Sequence, residues 1–429
     1  MKDISILAFF GINTDELESY ELEDKDPEAI SIAVTKRKVM LPCPSCGTLT
    51  NKVKDYKNKR YFFRNINGYN LNVFFKHRRY ECDVCHKSFM ESNPFINNRN
   101  YKLSSLKIQI ILGRLKKGLS IKQTAEDCGV SETTVYKVLD EYCTPPKRKM
   151  PRILSIDEFL SFNSNLTSKY SCLLLNFETG SIVDVIRSRQ KPWLIDFFSN
   201  VPKEQLNSIE YLIIDMYKTY KEIASIYFPQ AVVLIDPFHY IRYTTEAIDS
   251  VRIRIMTSFL DTEQEYKMLK KYKDLLLMKY DPDTSRHKRI RIMNDIRLTD
   301  AEILSTLLSY SDELKEAYEL GHAFLKAQER FDYDGFKEFM KATISRYDSS
   351  SIKEFNEVSE TYTNWYKEIC NSRLARVGKR TLSNGPIEGR NNKIKVLKRI
   401  SYGMTNFEHL RKRIFLIFED KTTPRKNGD

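Results

Sequence analysis

The 429-residue chain contains no run approaching the ~18 consecutive apolar residues of a membrane span, which excludes a helical membrane protein. Its first residues, "MKDISILAFFGIN", hold a short apolar stretch without a basic region before it or a small-residue cleavage site after it. A secretory signal is therefore not expected, and the protein is expected in the cytoplasm. No GxxxxGK(S/T) segment occurs, so a P-loop ATPase is excluded. Internal repeats and low-complexity tracts are also missing. Acids are nearly absent from two stretches. Residues 51–80 carry nine Lys or Arg against Asp55 alone, and residues 371–404 carry nine against Glu388 alone, while residues 14–28 are dominated by acids. The net charge of +13 is thus clustered. Clustered positive charge on a chain that can bury a core points to a polyanion, because each neutralised phosphate releases condensed counterions. The patterning favours nucleic acid over a merely solvated surface.

Four of the eight cysteines form two CxxC pairs, Cys43/Cys46 in "CPSCG" and Cys82/Cys85 in "YECDVCHKSF". Four thiolates in two such knuckles suit tetrahedral Zn2+, and in a reducing compartment they are not expected to pair as disulfides. The intervening "YFFRNINGYNLNVFFKHRRYEC" reads as two strands about an Asn-Gly turn, which would bring the knuckles together. His86 adjoins Cys85 and reads as a bystander. Cys128, Cys143, Cys172 and Cys370 are isolated and read as small buried residues.

Residues 104–143 have a helix-turn-helix rhythm. Ile108, Ile111, Leu112 and Leu115 recur at helical spacing. Ser120 caps a short helix, Gly129 makes the turn, and Ser131 caps a second helix. Ala125, Val130, Val135 and Leu139 are the expected core. Glu132, Thr133, Thr134 and Lys137 form a polar face, from which Thr133, Thr134 and Lys137 are candidate DNA contacts. A plain helical hairpin is the bland alternative. The Pro-rich basic "TPPKRKMPR", 144–152, marks a domain boundary.

The pattern then turns α/β. "ILSIDEF" is a short strand carrying Asp157, "YSCLLLNFETGSIVDVIRSR" two strands about a Thr-Gly turn, and "IEYLIIDMY" a buried strand ending at Asp215. A further strand ends at Asp236 in "QAVVLIDPFHY", and residues from about 240 to 370 read as an all-α insertion. Open α/β sheets gather their ligands at the carboxyl ends of strands. Two carboxylates on neighbouring strands can hold hard divalent cations, and a third from an adjoining helix completes a two-metal site for phosphoryl transfer. Glu388 is the candidate third ligand. Projected on a helix, Glu388, Asn392, Lys395 and Arg399 share one stripe about 60° wide, so a metal-directed carboxylate shares its face with phosphate-directed cations. A capping box begun at Gly385, with Glu388 as its N3 acid, is the alternative.

The order of these blocks resembles the DDE transposases of bacterial insertion sequences. "SNGPIEGRNNKIKVLKRISYGMTNFEHLRKRI" resembles the terminal motif of the ISL-three family, and "SIDEF", "IIDMYKTY", "DPFHYI" and the two CxxC pairs resemble its other blocks, over roughly residues 40–420. The resemblance implies a ribonuclease-H-like core of mixed sheet interrupted by a helical insertion. It implies Asp157, Asp215 and Glu388 as a triad binding Mg2+ or Mn2+. "DPFH" is similar to a DxxH motif that would give Asp236 and His239 an accessory role, although His239 could equally be a buried, capped histidine. The expected organisation is an N-terminal segment 1–40, a zinc-binding module 41–98, a helix-turn-helix domain 99–145, the first part of the core 146–240, the insertion 241–372, and 373–429 completing the core with the Glu388 helix and a C-terminal helix. The expected function is a DNA transposase that binds terminal inverted repeats and catalyses strand cleavage and transfer. Its partners would be double-stranded end and target DNA, contacted near the site by Arg390, Asn392, Lys395 and Arg399, and it would assemble as a dimer or larger complex on DNA. The rival readings are a repressor with an inactive core and a structure-specific nuclease. The repeat sequence, the target preference, the cut-and-paste or copying pathway and the activity of this copy are not encoded in a single sequence.

Overall fold

A computed structural model of the protein describes residues 14–23, 29–66, 69–92, 105–161, 169–374, 376–377, 380–401 and 406–418. The chain divides into two compact units, Met1–Pro146 with Val396–Asp429, and Lys147–Lys395. The division at Pro146 falls inside the Pro-rich basic segment.

The first unit is built on a sheet of β1 (Leu17–Glu23), β2 (Ala29–Lys36), β3 (Val53–Ile66), β4 (Tyr69–Glu81) and β5 (Ser88–Met90), in the order β1-β2-β4-β3 with β5 also paired to β4. β3 and β4 form the expected antiparallel hairpin; the Asn67-Gly68 turn itself lies outside the described residues. The segment before the knuckles, which offered no pattern strong enough to read, supplies two strands. β2 runs parallel to β4, placing the buried Ile32 beside Val73 and Val34 beside Phe75.

The helix-turn-helix follows as α1 (Ser105–Lys116), α2 (Ile121–Cys128) and α3 (Glu132–Tyr142). Its caps are as expected. Ser120 Oγ accepts from the Gln123 amide and Ser131 Oγ from the Thr134 amide, while Gly129 takes the left-handed conformation that ends α2. Ala125, Val135 and Leu139 are buried, whereas Val130 is only partly so.

The second unit contains β6 (Ile153–Leu160), β7 (Tyr170–Asn176), β8 (Ile182–Ile186), α4 (Lys191–Ser199), β9 (Tyr211–Ile214), α5 (Lys218–Tyr227), β10 (Val232–Ile235) and α6 (Pro237–Met256). The strand order is β8-β7-β6-β9-β10. β7 is antiparallel to β6 and β8, while β9 is parallel to both β6 and β10. Alternation sends Leu154, Ile156, Leu212 and Ile214 into a core with Leu194 and Phe198 of α4 and Tyr220 and Ile223 of α5. Ile153, Ile213 and Leu234 point to the other face and pack with Phe177 and Leu382.

Helices dominate the chain from Gln264 to Asn371, but the segment is not all-α as the sequence pattern suggested: a small hairpin pairs Lys288–Ile290 with Ile296–Leu298. The Glu388 helix is α7 (Gly385–Ile400). The final helix, α8 (Phe407–Phe418), departs from expectation: it packs on α1 and α3 of the helix-turn-helix and belongs to the first unit. Leu410, Ile414, Phe415 and Leu416 are buried, the buried Arg413 donates to the Leu119 carbonyl at 2.8 Å, and Lys412 pairs with Asp140 at 2.6 Å. Its apolar stripe is a local property, but the partner that covers the stripe is a tertiary one.

Candidate active site

Ser155 on β6 lies beside Ile213 on β9, so Asp157 and Asp215, each two residues further on, end up next to one another on the same face. Ile214 pairs with Ile235, which sets Asp236 next to Asp215 in turn. Three aspartates therefore stand in a row: Asp215 and Asp236 just past the carboxyl ends of β9 and β10, and Asp157 inside β6, beyond the point where β6 stops pairing with β9. The pairing of β6 with β7 runs on to Leu160, so β6 does not end at Asp157 as the sequence pattern suggested. A carboxylate oxygen from each of Asp157 and Asp215 and a ring nitrogen of His239 lie within 4.8 Å of one another. His239 comes from the first turn of α6. Asp236 caps that helix, accepting from the Phe238 amide at 3.3 Å, and stays outside the cluster.

The cluster is electrostatically loaded. Burial, then the charge of Asp215, pushes the Asp157 carboxyl up to about 7. Burial also raises Asp236. For His239 burial works downward, but the 2.6 Å contact from Nε2 to Asp215 Oδ1 and the neighbouring aspartates outweigh it and raise the imidazole. The site thus has more negative charge than its own residues neutralise.

Helix α7 crosses this site, but its contacts differ from those expected. Asn391 Nδ2 donates to Asp157 Oδ2 at 2.7 Å and Asn384 Nδ2 to Asp215 Oδ1 at 3.3 Å. The carboxylate of Glu388 is exposed and lies outside the Asp157–Asp215–His239 cluster. Because α7 begins at Gly385, Glu388 is its fourth residue, and the capping box begun at Gly385 does not describe this helix start. Asn392, Lys395 and Arg399 are exposed, and Arg390 donates Nε to the Gly180 carbonyl at 3.1 Å. Asn384 and Asn391 were missed in the sequence. Their signal was available: they lie four residues before and three after Glu388, within about 60° of it on a helix.

The donor set suits a hard divalent cation. Two carboxylates supply oxygen ligands, and Oδ1 of both Asn384 and Asn391 is buried without a partner. That surplus of acceptors fits the water ligands that Mg2+ retains.

In the first unit Cys43, Cys46, Cys82 and Cys85 converge, with their sulfurs within 4.8 Å of one another. Cys43–Cys85 and Cys46–Cys82 are each 3.5 Å apart, close to the ~3.8 Å edge of a tetrahedron with ~2.3 Å Zn–S bonds. The knuckles are equivalent. The amides of Gly47 and His86 donate to the carbonyls of Cys43 and Cys82, the amides of Cys43 and Cys82 donate to the carbonyls of Thr48 and Lys87, and Gly47 and His86 both take positive φ. His86 is thus a turn residue, outside the sulfur cluster. The hydroxyl of Thr48, then its amide, pulls Cys46 down to about 6, whereas Cys85 is held up at about 12 by burial and the neighbouring sulfurs, against the Lys87 amide. A cation resolves that conflict by letting all four ionise.

On the helix-turn-helix, Glu132, Thr133 and Lys137 are exposed, while the Thr134 hydroxyl is 2.9 Å from Ser131 Oγ and partly committed to the cap.

A capped helix-turn-helix and adjacent aspartates on neighbouring strands in one chain fit an enzyme that works on DNA. Residues 154–414, more than half of the chain, match the ISL3-type DDE family described as transposase, and the chain belongs to that family. Residues 103–144 match a homeodomain-like domain. The transposase for insertion sequence element IS1001 of Bordetella parapertussis is 24% identical over 378 residues, covering 87% of each chain. A protein of Lactococcus lactis subsp. lactis named ATP-dependent protease is 32% identical over 123 residues, 29% of this chain and 36% of that one. Among the described residues no helix is long and apolar enough to cross a membrane.

Proposed function

We propose that this transposase binds the terminal inverted repeats of its element through the first unit, and cuts and joins DNA at Asp157, Asp215 and Glu388 in a core of ribonuclease-H-like type. The observation that carries the reading is the pair of adjacent aspartates on neighbouring strands with the Glu388 helix fastened across them. The strand order, with an antiparallel pair beside three parallel strands, supports the core assignment.

Asp157 and Asp215 would hold Mg2+ or Mn2+, with Glu388, exposed one turn from each asparagine, as the third carboxylate. Divalent ions held there would supply activation of the attacking oxygen and stabilisation of the leaving one. His239 steadies Asp215 and Asp236 starts the helix that delivers His239; both are accessory. Arg390, Asn392, Lys395 and Arg399 track the phosphates of the strand being cut. Zn2+ at the four cysteines holds the knuckles, and Thr133, Thr134 and Lys137 of α3 contact the element's end. The active assembly is a dimer or larger complex on paired ends in the cytoplasm.

The test is cleavage and joining of a labelled DNA end with Mg2+ or Mn2+. Asp157→Asn, Asp215→Asn and Glu388→Gln are each expected to abolish both products. A gel shift on the same DNA verifies folding. Near-normal cleavage by Glu388→Gln would refute its role as third ligand and pass that role to His239 or Asp236.

A further inference from the structure

We propose that Asn384 and Asn391 are positioning residues, a pair of side-chain amides that hold Asp157 and Asp215 ready for metal and fix the station of Glu388 between them. The inference rests on the reading of Asp157 and Asp215 as metal ligands.

The orientation of Asn391 follows from its surroundings. Its Nδ2 faces two acceptors, Asp157 Oδ2 at 2.7 Å and the Glu158 carbonyl at 3.3 Å. A flipped amide would set oxygen against both. With Asp157 Oδ1 accepting from the Glu158 amide at 2.7 Å, each oxygen of that carboxylate is tied and its rotamer is set. Asn384 acts likewise on Asp215, and its main chain hydrogen-bonds Asp236. One residue thereby ties the start of α7 to two of the three aspartates.

These amides are not packing residues. Asn384 is 3% and Asn391 5% exposed, and each leaves Oδ1 buried without a partner. Burying a carbonyl oxygen without a partner is unfavourable, so packing alone would not select an amide at either place. Helix packing is already provided by Ile387, Ile394 and Leu397, all buried, and by Arg390 on Gly180.

Their neutrality is the informative feature. The segment carries nine Lys or Arg, yet the two residues that touch the aspartates are uncharged. A lysine or arginine there would neutralise the carboxylates and compete with a cation for them. An amide donates a hydrogen bond and leaves the charge that a divalent ion requires. Seven residues separate the pair, about two helical turns, and Glu388 falls between them on the same side. The two contacts therefore set both the rotation and the rise of the helix at Glu388.

The test measures Mn2+ binding to the full-length, zinc-loaded protein by electron paramagnetic resonance, alongside cleavage of end DNA over a range of Mn2+. Orienting partners of ligands typically contribute 10–100-fold in metal affinity. Asn391→Ala and Asn391→Leu, the latter preserving shape, are expected to weaken Mn2+ binding by that factor, with cleavage returning to within a few-fold of wild type at saturating Mn2+. Asn391→Asp, the same size without the donor, is expected to be no better than Asn391→Ala. Affinity within twofold of wild type in Asn391→Leu would overturn the role. Tighter binding by Asn391→Asp than by wild type would overturn it too, making residue 391 a ligand position. Failure of the wild type to bind Mn2+ would sink the metal site itself, and the amide role with it.

Discussion

Replacing Asp157 by asparagine should make the metal-free enzyme progressively more stable relative to wild type as pH rises, while destroying its activity. The Asp157 carboxyl sits at about 7 against an ordinary 3.8, because it is buried beside Asp215. The folded state therefore holds a proton that the unfolded chain has already released. Asp157's contribution to stability is fully present below pH 4 and is lost as pH rises to 7. A displacement of about three units at ~1.36 kcal/mol each makes the ionised group unfavourable by on the order of 4 kcal/mol above pH 7. Asparagine does not ionise and escapes this cost. The stability difference between Asp157→Asn and wild type should grow by about 2–3 kcal/mol between pH 5 and 7 and then level off. The asparagine amide nitrogen must face a donor, Asn391 Nδ2 or the Glu158 amide, which subtracts a pH-independent amount. At 2–4 °C per kcal/mol, the melting temperature of the variant relative to wild type should therefore rise by roughly 4–12 °C between pH 5 and 7. Differential scanning fluorimetry in magnesium-free buffer measures this. Adding Mg2+ should raise the wild-type Tm and leave the variant's unchanged. A pH-independent difference would refute the argument.

The four cysteines give a second expectation: Cys82→Ser should release zinc and weaken binding to end DNA, since structural zinc supplies folding free energy; zinc analysis of freshly purified, reduced protein checks it, and a metal-free wild type would remove the basis of the site. Changing Thr133 and Lys137 together to Ala should lower affinity for the element's end, and loss of the Lys137 phosphate contact should reduce the salt slope by about 1; unchanged footprints would move recognition to the zinc module.

Much of this protein could be read locally. The caps at Ser120 and Ser131, the paired CxxC spacing and the apolar runs ending in aspartate are all short-range signals, and each has its counterpart in the fold. What the sequence concealed was choice of partner. β2 carries no strict alternation, and its parallel pairing with β4 depends on residues some forty positions away. The apolar stripe of α8 is equally plain, but nothing in it specifies the helix-turn-helix as its cover. At the site, the sequence reading followed one helical phase and passed over the neighbouring one. A stripe drawn through Glu388 and Asn392 misses by a fraction of a turn the face through Asn384 and Asn391, and burial alone decides between them.

The packing of α8 on α1 and α3 also orders events during synthesis. The first unit, or head, is drawn from both sides of the second unit in sequence, so its last helix is made about 265 residues after α3, counting from Tyr142 to Phe407. At 5–20 residues per second that interval is roughly 13–53 s. During that time the apolar surface awaiting Leu410, Ile414 and Phe415 is uncovered, and chaperones have access to it. A message cut short before residue 407 would yield a head that never closes, so prematurely terminated chains would make poor competitors for the element's ends.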